Sequence, residues 1–250
     1  MQHSEIGAGK PAAHPPIIGA QARLAELDGR YRGMTAPELV RAMIEREFAG
    51  QVAAVSSFGI EAAVILSFVA DVDRTMPVVF LDTDKHFAET LAYRHQLVER
   101  LGLIDVRTTT PDWRSIRFAD PKGDLWRAGP DHCCHIRKVQ PLEQALSGFA
   151  AWISGRKRFH GGERSNLPVF EAVDGRVKIN PLADWTPAEI AAAFRERDLP
   201  LHPLALKGYS SVGCVPCTKR PAPDAAARGG RWSGTGKTEC GIHRARWARP

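Results

Sequence analysis

The sequence contains no hydrophobic run long enough to cross a membrane. No window of the 250 residues reaches the roughly 18 apolar residues that a spanning helix needs. The first residues, Met1 to Pro16, are polar and contain proline, and they lack the apolar core of a secretory signal. We therefore expect no membrane association and a cytoplasmic location.

Compositional bias and internal repeats are also missing. Hydrophobic residues make up 44% of the chain and charged residues 25%, which are ordinary values for a globular protein. These values exclude a disordered, collagen-like or coiled-coil chain. The length allows one large domain or two small ones, with enough chain to bury a sizeable core.

Acidic residues are scarce in one region, the end of the chain. Residues 207–250 hold nine Lys/Arg but only Asp224 and Glu239, a net charge of +7 in a chain whose total is +6. The first 206 residues therefore carry −1. A basic total invites a prediction of nucleic-acid or membrane-surface binding, but here the whole excess lies in one segment.

Cysteine is infrequent, with five residues in the whole chain, and three of them lie in the basic segment. An odd number without an export signal favours a reducing compartment. In such a compartment, clustered cysteines bind metals or take part in chemistry more often than they form disulfides.

Strand and helix patterns alternate along the rest of the chain. This alternation predicts an α/β fold with a mainly parallel sheet. From about Leu199 the pattern gives way to Gly, Pro, Cys and basic residues, so a metal site or docking on the main domain must order that stretch. We divide the chain into a flexible leader (1–30), an α/β domain (31–206) and an irregular Cys-rich, basic segment (207–250). Strands are predicted at 51–56, 77–82, 103–108 and 150–155, and helices at 35–48, 61–72, 86–101, 131–146 and from 186 onward.

Two polar turns follow the first two predicted strands, SSFG at 56–59 and DTD at 82–84. Ligands of parallel α/β sheets sit beyond the carboxyl ends of the strands, where free backbone N–H groups suit an anion and acids suit ribose hydroxyls. The first turn matches neither G-x-x-x-x-G-K-[ST] nor G-x-G-x-x-G. An ordinary turn of small polar residues, and Asp84 as a simple helix cap, remain alternatives.

Four cysteines form two close pairs: Cys133 adjacent to Cys134, and the C-x-x-C of Cys214 and Cys217. Four thiolates suit an iron–sulfur cluster or a structural zinc. Adjacent ligands converge poorly on one small ion, whereas a cubane offers each sulfur a different iron. A redox C-x-x-C alone, or unrelated buried thiols, remain open.

The fifth cysteine, Cys240, lies close in sequence to Lys237, His243 and Arg244. Cations lower the pKa of a thiol, so Cys240 is a candidate nucleophile, the alternative being an exposed thiol near the chain end. Further basic residues occur at Lys138, at 156–158, and at positions 164, 228 and 231. They suit phosphate or sulfate oxygens, unless they are solvated surface charge.

Taken together, these residues resemble the assimilatory adenylyl-sulfate reductases of the iron–sulfur type, within the phosphoadenylyl-sulfate reductase family. The resemblance implies an α/β sheet like that of the adenine-nucleotide α-hydrolases (PP-loop type), which binds the nucleotide within residues 31–206. The matching stretches are SSFGIEAAV (56–64), LDTDKHFAET (81–90), CCHIRKVQPL (133–142), ISGRKR (153–158), NPLADWT (180–186), GYSSVGCVPCTK (208–219) and GRWSGTGKTECGIH (230–243).

The resemblance also implies the roles of individual residues. Cys240 would be the nucleophile, and Lys138 would lie between a 4Fe–4S cluster and the substrate. The cluster ligands would be Cys133, Cys134, Cys214 and Cys217. The substrate would contact Ser56, Ser57, Phe58 and Gly59 at the phosphate loop, Asp82, Thr83 and Gly155 near the adenosine, and Arg164, Arg228, Arg231 and His243 at the phosphosulfate.

In this family the thiolate attacks the sulfur of adenylyl sulfate, expels AMP and leaves an S-sulfocysteine, from which reduced thioredoxin or glutaredoxin then releases sulfite. On this interpretation the basic segment serves one small anionic ligand and not a nucleic acid. The strictness for adenylyl sulfate, the preferred dithiol donor and a homo-oligomeric state remain open.

Three other functions would account for parts of the sequence. A 3′-phosphoadenylyl-sulfate reductase is the nearest, although relatives restricted to that substrate generally lack the four cluster cysteines. A tRNA-thiolating ATP pyrophosphatase would need an S-G-G-x-D-S-type loop, which is absent from the sequence. A zinc-ordered, basic nucleic-acid-binding module is the non-enzyme alternative, and it predicts colourless protein and steeply salt-dependent binding.

Overall fold

The structure, a computed structural model, describes residues 19–222 and 224–243. Within these residues the strands are β1 (Val52–Val55), β2 (Val78–Leu81), β3 (Val106–Thr109), β4 (Ala151–Ile153), β5 (Phe170–Val173) and β6 (Arg176–Ile179). They form one sheet in the order β3-β2-β1-β4-β6-β5, parallel except for the β5–β6 pair. The prediction of an α/β fold with a mainly parallel sheet is confirmed.

Helices precede and follow most strands. The helix from the Thr35 capping box is confirmed, since Glu38 accepts the Thr35 N–H at 2.8 Å. The helices are α1 (Ala20–Arg30), α2 (Ala36–Ala42), α3 (Ala62–Val72), α4 (Ala88–Leu101), α5 (Trp113–Ala119), α6 (Leu125–Ala128), α7 (Pro130–Cys134), α8 (Gln140–Ala145), α9 (Pro187–Glu196) and α10 (Pro203–Leu206), with π-helical turns at Met43–Glu47 and His135–Val139. Among the described residues, no helix has the length and apolar character needed to cross a membrane.

Both faces of the central strands are buried, as their continuous apolar runs predict. Phe80 and Ile153 face a large core that includes α2, α3, α4 and α9. Val79 and Trp152 point to the opposite face, where they meet α8. The alternation of neighbouring residues between the two cores fixes the register, because a slip of one residue would exchange every side chain between the faces.

The N-terminal boundary differs from the predicted leader of residues 1–30. Residues 1–18 lie outside the described residues, but α1 is helical from Ala20 and buries Leu27 completely. Arg30 also pairs with Glu47 at 2.8 Å. One apolar anchor and an ion pair therefore attach residues 20–30 to the domain.

The β5–β6 hairpin was missed in the sequence. Its turn is Asp174-Gly175, and both residues have positive φ (48° and 77°). Two such residues form the turn whose twist matches a β-hairpin, for which Asp-Gly is a strong signal. The hairpin extends the sheet beyond β4. It places Lys178 opposite Trp152 of β4, and Glu171 opposite Lys178.

Strand order places a ligand crevice at one position. From β1 the chain passes to β2 and β3 on one side, whereas β4 returns to pair with β1 on the other side. The loops leaving β1 and β4 therefore diverge, and such a switch point opens a crevice at the carboxyl edge of the sheet.

The C-terminal segment contains little regular structure, as predicted, and contacts with the domain order it. The Val215 N–H donates to the Lys85 carbonyl of the domain at 2.7 Å, and within the segment the Trp232 N–H donates to the Cys217 carbonyl at 3.0 Å. Short 3-10 turns cover Val215–Cys217 and Gly241–His243. The segment thus returns across the carboxyl edge of the sheet.

Candidate active site

A cavity of about 190 Å³ lies at the crevice between β1 and β4. Its walls come from the loop after β1, the loop after β4, the π-helical turn and the C-terminal segment. Residues predicted to bind substrate that line it are Ser56, Ser57, Gly59, Lys138, Gly155, Arg164, Arg228, Arg231 and His243, and the predicted nucleophile Cys240 lines it too. The structure therefore brings together positions from four distant parts of the sequence.

The loop after β1 is held by its own side chain and by the core. Ser56 Oγ accepts the Phe58 N–H at 3.1 Å. Phe58 has a φ of 48°, and its fully buried ring packs edge-on against Phe80 at 5.6 Å between centroids. Phe58 is therefore the one member of this loop whose side chain anchors it in the core and does not line the cavity.

Glu61 follows this loop and lines the cavity with its charge compensated. Lys157 Nζ donates to Glu61 Oε2 at 2.6 Å, and His160 Nε2 lies 3.1 Å from the same oxygen. Burial alone would raise the pKa of Glu61, but the His160 hydrogen bond and the Lys157 charge lower it to about 2. A carboxylate this close to the phosphate loop would repel an additional phosphate, but its own partners weaken that repulsion.

Gly155 occupies a tight position after β4. A Cβ atom there would lie 3.1 Å from Ile65 Cγ2 of α3, so a side chain would push the loop away from the helix. The absence of a side chain lets the backbone of this loop form a wall of the cavity next to α3.

Asp82 and Thr83, predicted to lie near the adenosine, do not line the cavity. The Asp82 carboxylate accepts the Asp84 N–H at 3.0 Å and closes a local turn. Thr83 is fully buried, and its Oγ1 lies 3.3 Å from the sulfur of Cys214. The turn after β2 therefore contacts the cysteine region.

The four paired cysteines converge from α7 and from the C-terminal segment. Cys133, Cys134 and Cys214 are buried, Cys217 is half-buried, and all four are free thiols. Burial raises the pKa of Cys133 to about 11, and the nearby charges of Cys214 and Cys217 add to the effect. These thiols destabilise one another's ionised forms, and a bound cation would stabilise the thiolates.

The type and number of the donors bear on which metal group these cysteines could hold. Across the part of the chain that the structure describes, no three His, Cys, Asp or Glu side chains are arranged to hold a single metal ion. Four cysteine thiolates are the usual ligand set of a 4Fe–4S cluster. The residues present therefore suit a 4Fe–4S cluster in donor type and number.

Cys240 is buried, with 8% of its surface exposed, and lies against Cys134 and Trp232. With Cys134 as a free thiol, its hydrogen bond to Cys240, opposed by burial and assisted by the charge of Lys138, lowers the pKa of Cys240. Lys138, which is distant in sequence, is therefore a cation that stabilises the Cys240 thiolate.

Lys138 and His243 complete the wall near Cys240. Burial would lower the pKa of Lys138, but the charges of Cys214, Cys240 and Cys134 raise it, so the ammonium stays charged. His243 stacks on Trp152 with ring centroids 6.2 Å apart and planes 15° from parallel. Burial and the surrounding cations, Lys178 first, lower the pKa of His243, so its ring is neutral.

An arginine cluster surrounds the carboxylate of Glu239, which is only 1% exposed. Arg164 donates to both Glu239 oxygens, one bond being 2.9 Å, and Arg228 lies 3.3 Å away. Burial would raise the pKa of Glu239, but the Arg164 bonds and the Arg228 charge lower it to about 2. Glu239 belongs to the quoted C-terminal motif, but the sequence did not indicate this role.

Arg231 has a further structural role. It donates to the Val212 carbonyl at 2.9 Å and to the Cys217 carbonyl at 3.3 Å. Its guanidinium also packs 4.5 Å from the centre of the Trp232 ring, which is buried and likewise missed in the sequence. Arg231 therefore braces the C-x-x-C turn in addition to lining the cavity.

The cavity combines a switch-point crevice, a ring of cations and a buried thiol of lowered pKa. Such a site can bind an anionic nucleotide and attack it with sulfur. The fold is a PP-loop-like α/β fold, and residues 228–243, called the lid below, cover the cavity and carry Cys240.

Residues 51–220 match the phosphoadenosine phosphosulfate reductase domain, and the chain belongs to this family. The chain is 46% identical over 225 residues to the adenosine 5′-phosphosulfate reductase of Mesorhizobium japonicum, covering 90% of this chain and 89% of that protein. It is 40% identical over 184 residues to the protein of the same name from Mycobacterium tuberculosis, with 72% of each chain covered. The family resemblance predicted from the motifs is confirmed.

Solved structures support the same fold. The chain is similar to a Candida auris phosphoadenylyl-sulfate reductase in complex with phosphate, with a TM-score of 0.66, 25% identity and coverage of 82% of this chain and 100% of that one. It also resembles a Candida glabrata FMN adenylyltransferase, with a TM-score of 0.54, 14% identity and coverage of 80% and 75%. The second likeness concerns the fold alone.

Proposed function

We propose that this chain reduces adenylyl sulfate to sulfite and AMP in assimilatory sulfate reduction, with Cys240 as the nucleophile. The observation that carries the proposal is the burial of Cys240 beside Lys138 at a cation-lined nucleotide crevice. The names of the relatives at 40–46% identity support the choice of substrate.

The first half of the reaction follows from the charges around the cavity. The Cys240 thiolate attacks the sulfur of adenylyl sulfate, a new S–S bond forms, and the bond from sulfur to the AMP oxygen breaks. The departing phosphate carries the electron pair away, and Lys138, Arg228 and Arg231 stabilise its charge and that of the sulfonate oxygens. The enzyme is left as S-sulfocysteine at Cys240.

The second half needs a dithiol donor, for which we propose reduced thioredoxin or glutaredoxin. One donor thiolate attacks the Cys240 sulfur and releases sulfite, which leaves with the electron pair of the S–S bond. The second donor thiol then resolves the mixed disulfide and regenerates Cys240. Because Cys240 is only 8% exposed, the C-terminal segment must move before a protein donor reaches it.

We further propose that Cys133, Cys134, Cys214 and Cys217 hold a 4Fe–4S cluster. When bound, such a cluster would join the C-terminal segment to α7 through four thiolate ligands. Support comes from the burial, the free thiols and the mutual proximity of these cysteines. Lys138, which lines the cavity and interacts with Cys214 and Cys240, lies where it would separate the cluster from the substrate.

Cys240→Ser tests the proposal, with Cys217→Ser as its counterpart. Cys240→Ser should abolish sulfite release and keep the iron, sulfide and visible absorbance of the wild type. Cys217→Ser should lose the visible absorbance. Sulfite release by Cys240→Ser, or loss of its absorbance, would contradict the assignment of Cys240. A wild-type protein that contains zinc and no sulfide would favour the nucleic-acid-binding alternative.

A second substrate, 3′-phosphoadenylyl sulfate, is supported by the Candida auris structure and by the compensated charge of Glu61. Comparing kcat/KM for the two nucleotides distinguishes the candidates. We expect adenylyl sulfate to be preferred, and a preference for the 3′-phosphorylated nucleotide would overturn that choice.

A further inference from the structure

Glu239 connects the nucleophile to the arginine cluster. Its Oε1 accepts the backbone N–H of Cys240 at 2.9 Å and a bond from Arg164 Nη2, also at 2.9 Å. One carboxylate oxygen therefore receives donors from both the lid and the domain. The residue is 1% exposed, so water does not replace these bonds.

The bonds to Arg164 link two separate parts of the chain. Arg164 lies in the short turn Gly162–Arg164 that follows the β4 loop, 75 residues before Glu239. It is itself buried and donates both Nε and Nη2, the two-point geometry that arginine forms with carboxylates. This pairing fixes the position and the orientation of Glu239 together.

The polar contacts next to Glu239 in the sequence each involve an exposed group or a long distance. Thr238 Oγ1 donates to Glu163 at 2.7 Å in an exposed setting, and Arg228 approaches the Thr238 carbonyl only at 3.5 Å. Lys237 pairs with Asp131, whose side chain is 45% exposed. By contrast, the contacts of Glu239 with Arg164 are buried on both sides, and exposed partners contribute less to stability.

We propose that Glu239 is a positioning residue that seats Cys240 in the cavity through Arg164. This inference rests on the proposed function, because it takes Cys240 to be the nucleophile. It gives Arg164 the role of holding Glu239 and not that of binding the substrate. Removing the charge of Glu239 should release the lid and misplace the thiol without removing the cations that face the anion. Arg164 then acts on catalysis through Glu239.

Glu239→Gln and Arg164→Lys test this link on the full-length, cluster-loaded protein. For Glu239→Gln we expect deuterium uptake in residues 233–243 to accelerate about tenfold or more, since a buried charged hydrogen bond is lost. With adenylyl sulfate, kcat should fall at least about tenfold while KM changes by less than about twofold. Glu239→Asp, which keeps the charge, should recover part of both losses.

The double variant decides between a linked and an independent role. If Arg164 works through Glu239, combining Glu239→Gln with Arg164→Lys should cost little more kcat/KM than either change alone. Additive losses, with a raised KM from Arg164→Lys alone, would show that Arg164 binds substrate independently and would overturn the proposal. Wild-type exchange rates in Glu239→Gln would also overturn it.

Glu89→Gln is the matched control. Glu89 lies on α4 and forms an exposed pair with Lys207, and the change removes one carboxylate charge from that pair. It should change neither exchange in 233–243 nor kcat. Visible absorbance and thermal unfolding confirm that each variant is folded. Deuterium exchange does not depend on turnover, so a wild-type protein inactive on adenylyl sulfate would refute the proposed function while the lid attachment is still tested.

Discussion

Thr83 Oγ1 lies 3.3 Å from the sulfur of Cys214, a residue 131 positions further along the chain. The contact joins the end of β2 to the C-x-x-C turn. It is supported by an isolated antiparallel bridge between His86 and Cys214. The turn after β2 therefore shapes the cysteine region more directly than the nucleotide cavity.

Thr83→Val tests this relationship. The change keeps the shape of the side chain but removes the hydroxyl beside Cys214, and hydrogen bonds to sulfur tune iron–sulfur sites. We expect faster loss of visible absorbance in the presence of a chelator, with KM for adenylyl sulfate within about twofold of wild type. A large rise in KM with unchanged cluster lability would instead place Thr83 at the adenosine.

A buried ion pair supports the same region. Arg137 donates to Asp120 at 2.8 Å and to the Thr83 carbonyl at 2.8 Å, and the Asp120 side chain is completely buried. Asp120→Ala leaves the Arg137 charge without its partner, and we expect a loss of about 3 kcal/mol in the free energy of unfolding.

Urea unfolding measures this loss, and Asp105→Ala is the control. Asp105 pairs with Arg107 at 2.6 Å on the exposed edge of the sheet, so its removal should cost less than about 1 kcal/mol. Equal losses in the two variants would mean that burial does not distinguish the pairs.

The burial of His202 predicts that the stability of the protein depends on pH. It is fully buried, its Nδ1 accepts the Leu204 N–H at 3.1 Å, and its Nε2 lies 3.1 Å from Thr90 Oγ1. Burial lowers the pKa of His202 from 6.5 to about 4, although the Glu89 charge opposes the shift. The unfolded chain therefore binds this proton more readily, and stability falls as the pH decreases from about 6.5 to 4.

Chemical denaturation at several pH values tests this sign. His202→Asn keeps an acceptor for the Leu204 N–H but does not titrate, so its free energy of unfolding should fall less than that of wild type over this window. A variant as acid-sensitive as the wild type would assign the effect to other groups.

The Lys157–Glu61 pair makes a prediction about substrate discrimination. Because Lys157 and His160 compensate the Glu61 charge, Glu61→Gln should change the ratio of kcat/KM for adenylyl sulfate and its 3′-phosphorylated form by less than about tenfold. Steady-state rates on both nucleotides measure the ratio, with the exposed Glu45→Gln as control. A change of a hundredfold would show that Glu61 acts as an uncompensated charge.

Most of the sheet was predictable from local pattern. The strand at 77–82 is a continuous apolar run, and it became β2 with all four residues buried. The helices opened by Thr35 and Thr186 begin where their capping boxes predicted. The β5–β6 hairpin was missed although its Asp-Gly turn is a local signal.

Fewer features of the site than of the sheet could be predicted from the sequence. The types and the spacing of the cysteines, together with the C-terminal motif, were enough to identify the family and to propose Cys240 as the nucleophile, since these are properties of the chain itself. Which cations reach Cys240 was decided by the fold, because Lys138 lies 102 positions away in sequence. The same holds for Glu239, whose partner Arg164 comes from another loop.

The sequence by itself thus determined most of the regular elements, the family and the basic character of the last segment, because helix caps, apolar runs and residue types act locally. Only the tertiary structure decided that Phe58 faces the core, that Thr83 meets Cys214 and that Glu239 occupies the arginine cluster. Each of these depends on long-range contacts at the carboxyl edge of the sheet, where loops distant in sequence meet and their charges compensate one another away from water.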